Sequence, residues 1–138
     1  MFQNFNVGVK GVVVKNNKVL LLKRKSSYKN NYFWDLPGGR INNKGTIIPT
    51  LIREIKEELG VTPKKIGKII NVGIDTDYSM YAKNTFLIIL FYLIEVPHLN
   101  FKLSKEHELV RWTGKKDINK LPKDIFLPIH TKEIIQNL

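Results

Sequence analysis

Cysteine is missing from the 138-residue chain, which excludes a disulfide framework and a thiolate metal site. Any metal must be held by oxygen or imidazole, and a hard cation such as Mg²⁺ suits oxygen best. Long apolar runs are missing too. The longest, Phe86 to Ile94, has nine residues, against the roughly 20 that a membrane-crossing helix needs. Rich in Ile and Phe, it reads as a buried strand, and no membrane association is expected. The opening MFQNFNVGVKGVVV carries Lys10 inside its apolar stretch and has no small-residue cleavage site. It is therefore not read as a secretory signal, and the expected compartment is the cytoplasm. Repeats, linkers and low-complexity tails are also lacking, so one domain spanning residues 1–138 is predicted, long enough to bury a core unaided.

Acidic residues are scarce. Twelve Asp and Glu against 23 Lys and Arg give a formal net charge of +11, the kind of balance that invites a nucleic-acid reading. However, Lys outnumbers Arg 19 to 4, and Lys, Asn and Ile make up 49 of the 138 residues, as an A/T-rich coding sequence produces. No basic-aromatic binding motif accompanies the charge. Compositional drift therefore ranks first, a phosphate-rich small ligand second, and nucleic acid last. A positive field still helps to draw in a polyphosphate.

Along the chain, the apolar stretches Val7 to Val14 and Val19 to Lys23 flank Asn16-Asn17 and predict an opening hairpin. A basic loop from Lys25 to Tyr32 leads to Phe33-Trp34-Asp35-Leu36, which Pro37-Gly38-Gly39 must turn sharply. A helix is predicted from an N-cap at Thr46 to a stop at Gly60. Pro49 lies in its first turn, Ile47, Leu51, Ile55 and Leu59 recur every four residues, and Ile48 and Ile52 stand beside them. Lys68 to Ile74, Thr85 to Glu95 and Val110 to Thr113 read as strands, and Pro128 to Asn137 as a closing helix.

The predicted helix concentrates what little acid there is. Of seven Glu in the chain, Glu54, Glu57 and Glu58 fall within five residues near its C-terminal end. At about 100° per residue they share an arc of roughly 100°, separate from the roughly 140° arc of the apolar side chains. Like charges at i,i+3 and i,i+4 near the negative end of a helix dipole repel. Arg53 can pair with Glu57, but one guanidinium does not neutralise three carboxylates, and an oxygen-seeking divalent cation would complete the balance. The competing reading is a solvated acidic face, which most helical Glu residues form. The turn at Gly38-Gly39, with Gly39 placed 14 residues before Arg53, favours the cation, because glycine backbone can approach a metal or phosphate closely.

Gly39 followed by Arg53-Glu54-Ile55-x-Glu57-Glu58-x-Gly60-Val61 is similar to the Nudix box, G-x5-E-x7-R-E-U-x-E-E-x-G-U, where U is aliphatic. Trp34-x-Leu36-Pro37-Gly38 resembles the family's lead-in. The departure is Gly45, where the family has its first box Glu; Asn42 also stands where another acid is common.

The resemblance implies an α/β fold, the Nudix α/β/α sandwich with a mixed sheet, and a metal-dependent hydrolase of phosphoanhydride bonds. It implies that Glu54, Glu57 and Glu58 carry Mg²⁺, or Mn²⁺ in its place, that the Gly38 carbonyl adds an oxygen, and that Arg53 orients the carboxylates. A general base is also required. The family takes it from the box or from a loop before the last strand. Here that loop is Ser104 to Glu108, so Glu106 is the first candidate and Glu108 the second, against a solvated loop acid. His107 is expected to be a packing residue, and His98 and His130 form no cluster. Lys23 and Arg24, at the end of the second strand, are candidate phosphate contacts. Tyr78, 17 residues after Val61, is a candidate stacking residue for a base. Nucleoside triphosphates or modified nucleotides rank first as substrate, dinucleoside polyphosphates second and nucleotide sugars third. A nucleotide-binding domain without turnover and a basic RNA-associated protein are the other classes. The hairpin's edge is a candidate pairing surface for a homodimer.

Overall fold

The computed structural model describes residues 2–24, 34–42, 44–76, 83–121 and 130–138. Asn16 and Asn17 both adopt positive φ, 51° and 59°, the backbone of a tight two-residue hairpin turn. They join β1 (Asn4–Lys15) to β2 (Lys18–Arg24), which pair antiparallel at Val14–Val19 and Lys15–Lys18. Then follow β3 (Trp34–Asp35), β4 (Gly38–Arg40), α1 (Ile47–Leu59), β5 (Lys65–Asp75), β6 (Thr85–Glu95), β7 (His107–Gly114), α2 (Lys115–Ile118) and α3 (Thr131–Gln136).

The sheet order is β3-β2-β1-β6-β5, with β4 also beside β1 and β7 beside β2. β1 runs parallel to β6 from Asn4 to Val13, while the remaining pairings are antiparallel, so the sheet is mixed. Among the described residues β6 and β4 flank β1, and β7 and β3 flank β2, so the chain's own strands line the hairpin edge considered for homodimer pairing.

Neighbouring residues on the central strands face opposite layers, as the pleat requires. Leu20, Leu22, Tyr92 and Ile94 pack with Leu51, Ile55 and Leu59 of α1. Val19, Leu21, Leu87, Ile89 and Phe91 pack on the other side with Ile118, Ile134 and Ile135. Strands buried on both faces read as continuous apolar runs, and helices cover each face: the α/β/α sandwich that the box resemblance implied.

Three details differ from expectation. β5 begins at Lys65 rather than Lys68, because its pairing with β6 shifts register between Ile66 and Ile69 and again between Ile69 and Asn71. Such irregularities break the alternation by which a strand is recognised. β7 begins at His107 rather than Val110, held by seven paired positions on β2. In α1, Leu51, Ile55 and Leu59 are buried, but Ile47 is 39% exposed and lies off the core stripe. Among the described residues no helix is long and apolar enough to cross a membrane.

Candidate functional site

The C-terminal half of α1 lies against the turn between β3 and β4, and two contacts fix the approach. The Gly38 N–H donates to Glu58 Oε2 at 2.8 Å. At Gly39, an added Cβ would lie 2.7 Å from the Glu54 carboxylate, so only a residue without a side chain lets the strand and this Glu come so close. The turn itself is pinned by the Gly11 N–H to the Pro37 carbonyl, 2.7 Å, and the Ile41 N–H to the Val7 carbonyl, 2.8 Å.

The end of α1 also positions the loop that carries Glu106. Gly60 takes the left-handed conformation, φ 70°, and returns its N–H to the Lys56 carbonyl, as a helix C-terminus favours. The carbonyls of Leu59 and Glu58 are taken by the N–H groups of Lys102, 2.9 Å, and Ser104, 3.3 Å. These bonds satisfy groups that would otherwise lack partners. Glu106 sits in the turn that follows, one residue before β7, and its charge reaches Glu54.

Burial pushes the Glu58 carboxyl up to about 8. The Lys10 ammonium and the Gly38 N–H oppose the rise, and Glu54 and Asp35 add to it. Burial also raises Glu54, with Glu57 and then Glu106 adding repulsion while Arg53 and Lys10 pull it down. Burial is thus the main reason that both neighbouring carboxyls are raised, with mutual repulsion adding to it.

Glu57 is placed differently. Its side chain is 55% exposed and faces Arg53 Nη1 at 3.7 Å, while Arg53 Nη2 lies 3.4 Å from Glu54 Oε1. Among the described residues no three acidic or imidazole groups converge as a metal cage. Exposed pairs of this kind are worth only a few tenths of a kcal/mol, so little opposes a swing of Glu57 off Arg53. The donors are hard oxygens, two of the carboxyls are brought together in a partly buried place, and glycine backbone leaves the approach open. They suit a divalent cation.

The remaining candidates divide. Glu108 lies in β7 rather than in the loop and pairs with Lys23 Nζ at 2.7 Å, which engages both residues. Glu106 lies in the turn just before β7, tied to the end of α1 through the Lys102 and Ser104 N–H groups. Arg24 stands opposite His107 in the β2–β7 ladder. His107 is 6% exposed, and its Nδ1 lies 3.0 Å from Ser104 Oγ. Burial, then Arg24, lowers its pKa, as fits a neutral packing histidine. Tyr78 lies outside the described residues.

Two contacts were not foreseen. The Lys10 ammonium donates to Asp35 Oδ2 at 2.8 Å and to the Leu36 carbonyl at 3.3 Å, beside the carboxylates. A lone charge within the apolar run Val7 to Val14 was the available signal. Arg111 Cζ lies 5.7 Å from the Trp34 ring centroid, a cation–π distance.

A family model, the NUDIX domain, matches residues 5–134. The chain is 31% identical over 120 residues to the ADP-ribose pyrophosphatase of Methanocaldococcus jannaschii, covering 87% of this chain and 66% of that protein. It is 26% identical over 88 residues to the asymmetrical bis(5'-nucleosyl)-tetraphosphatase of Mus musculus, covering 62% and 58%. It is also 26% identical over 111 residues to the 8-oxo-dGTP diphosphatase of Buchnera aphidicola, covering 70% and 85%. The matches thus span just under two thirds of the first of these relatives and less of the second. The fold is similar to that of a MutT Nudix hydrolase from Burkholderia pseudomallei, with a TM-score of 0.72, 23% identity and 98% of both chains covered.

Proposed function

Because this chain belongs to the Nudix family, whose members generally use a divalent metal and act on small nucleotides, we propose that it is a pyrophosphohydrolase. In this reading it hydrolyses a phosphoanhydride bond of a nucleoside triphosphate or modified nucleotide with Mg²⁺, Mn²⁺ serving in its place. The observation that carries the proposal is the close approach of the glycine turn to two carboxylates of α1, the Gly38 N–H bonding Glu58 and Gly39 leaving room for Glu54.

Glu54, Glu57, Glu58 and the Gly38 carbonyl would hold the metal, which supplies charge neutralisation on the phosphates and acidifies a bound water. The chain's own groups do the rest. The Gly38 N–H fixes which Glu58 oxygen is free to face a ligand, and Arg53 restrains Glu54 and Glu57 until one is recruited. Glu106 accepts the proton of the attacking water, from a loop tied to the α1 carbonyls by the Lys102 and Ser104 N–H groups. Lys23 and Arg24 close the β2 end of the site and neutralise substrate phosphate, Lys23 by exchanging Glu108 for it. The broad positive charge assists capture of the anion.

The relatives' names support three substrate types, so the test is product release from a panel with added Mg²⁺ or Mn²⁺. It contains nucleoside triphosphates including 8-oxo-dGTP, dinucleoside tetraphosphates and ADP-ribose. Wild type is expected to turn over at least one of them, and Glu58→Gln to lower that rate by on the order of a hundredfold or more. Nucleotide binding with no product from any member would replace the proposal with a binding domain. Salt-sensitive RNA binding indifferent to Glu58→Gln would replace it with the RNA-associated class.

A further inference from the structure

Lys10 has a more defined setting than any substrate-facing lysine needs. Its side chain is 17% exposed and that of its partner Asp35 13%, so the ammonium is largely withdrawn from water. It is clamped by two acceptors, Asp35 Oδ2 and the Leu36 carbonyl. The same short segment supplies the Gly38 N–H that grips Glu58. Gly38 stands directly opposite Lys10 in the β1–β4 ladder, and an added Cβ at Gly38 would lie 2.8 Å from Lys10 Cα. Residues 35–38 thus tie one fixed cation and one carboxylate together. Of the charged groups acting on Glu58, Lys10 has the largest influence, and it acts in the same sense on Glu54.

We propose that Lys10 is a built-in cation of the carboxylate site: clamped by Asp35 and the Leu36 carbonyl, opposite the Gly38 whose N–H holds Glu58, it places a fixed positive charge beside the carboxylates and so weakens the uptake of divalent metal there. The inference rests on the reading that these carboxylates bind metal. Lys10 is a positioning residue in this scheme. It holds the site together when metal is absent and sets how much metal is needed to fill it. A unit charge held several ångströms from a divalent ion near a protein surface changes the binding constant by on the order of tenfold or more.

The test is a Mn²⁺ titration of the full chain without nucleotide, following free Mn²⁺ by electron paramagnetic resonance. Lys10→Met is expected to bind Mn²⁺ about tenfold more tightly than wild type, or to take up one further equivalent. Lys10→Arg, which keeps the charge, is expected to stay near wild type. Lys10→Gln, which retains a donor for Asp35 and Leu36, gives the same reading if the methionine variant does not fold. Superimposable isotherms for wild type and the neutral variants would overturn the inference while leaving the metal site in place. No Mn²⁺ binding by wild type or any variant would remove the carboxylate metal site itself, and this inference with it.

Discussion

At its C-terminal end α1 is held from several directions, by the left-handed Gly60, by the Lys102 and Ser104 N–H groups on its last carbonyls and by Gly38 on Glu58. At its N-terminal end Thr46 stands in the cap position without a side-chain hydrogen bond, and no acid lies in the first turn. The carboxylates that match the Nudix box are at the gripped end. The residue that departs from it, Gly45, is at the slack one. A catalytic carboxylate must be held to within about half an ångström by its surroundings; the gripped end supplies such support to Glu58 through Gly38 and to Glu54 against Gly39. Losing an acid at the other end removes a charge but disturbs little packing.

The sharpest way to break this contrast is to loosen the gripped end at Gly38. Its φ is 149°, and an added Cβ would run into the Val9 carbonyl oxygen and crowd Lys10 Cα. Strain at such a backbone position and overpacking each cost about 1–3 kcal/mol. Gly38→Ala is expected to lower unfolding free energy by about 3–5 kcal/mol in urea titrations and to abolish turnover. A variant within about 0.5 kcal/mol of wild type would show that the turn does not grip the helix.

A second test uses pH. The Glu58 carboxyl, raised from 4.5 to about 8 chiefly by burial, favours its protonated form in the folded state. Its stabilising contribution is therefore complete below about pH 4.5 and is lost as pH rises through about 8. Without metal, thermal stability is expected to fall across this window, with Glu58 contributing on the order of a few kcal/mol. Glu58→Gln should flatten that fall, and divalent metal should protect wild type more at pH 8.5 than at pH 6. Parallel melting profiles for wild type and Glu58→Gln across the window would contradict the burial of this charge.

How far the sequence disclosed all this depends on how local each feature is. α1 was legible to within its caps, because the four-residue recurrence and Gly60 are local signals, and β6 matches Thr85–Glu95 because the run is apolar throughout. The irregular start of β5 was not legible, since bulges erase the alternation. Neither was the pairing of Lys10 with Asp35, which joins residues 25 positions apart through strands whose register only the fold sets. Where β7 begins decides that Glu108 lies on a strand and Glu106 in the turn before it. Within the strand, Glu108 meets Lys23 across the ladder, a contact that spacing along the chain cannot reveal.

The smallest effect is expected at the slack end. Gly45 is exposed, and an added Cβ would meet Thr50 Oγ1 at 3.0 Å, Ile41 Cγ2 at 3.1 Å and Asn42 Oδ1 at 3.2 Å. These neighbours need to yield by only a few tenths of an ångström, and an end without a side-chain cap can yield. A carboxylate there also lies toward the positive end of the helix dipole, worth about 0.3–1 kcal/mol, which offsets the crowding. Gly45→Glu is therefore expected to change unfolding free energy by less than about 1 kcal/mol and to tighten Mg²⁺ binding severalfold by adding a negative charge. An unchanged Mg²⁺ titration would place residue 45 too far from the carboxylates to matter. A large loss of stability would instead show that this end of α1 is held as firmly as the other, and the contrast between the two ends would fail.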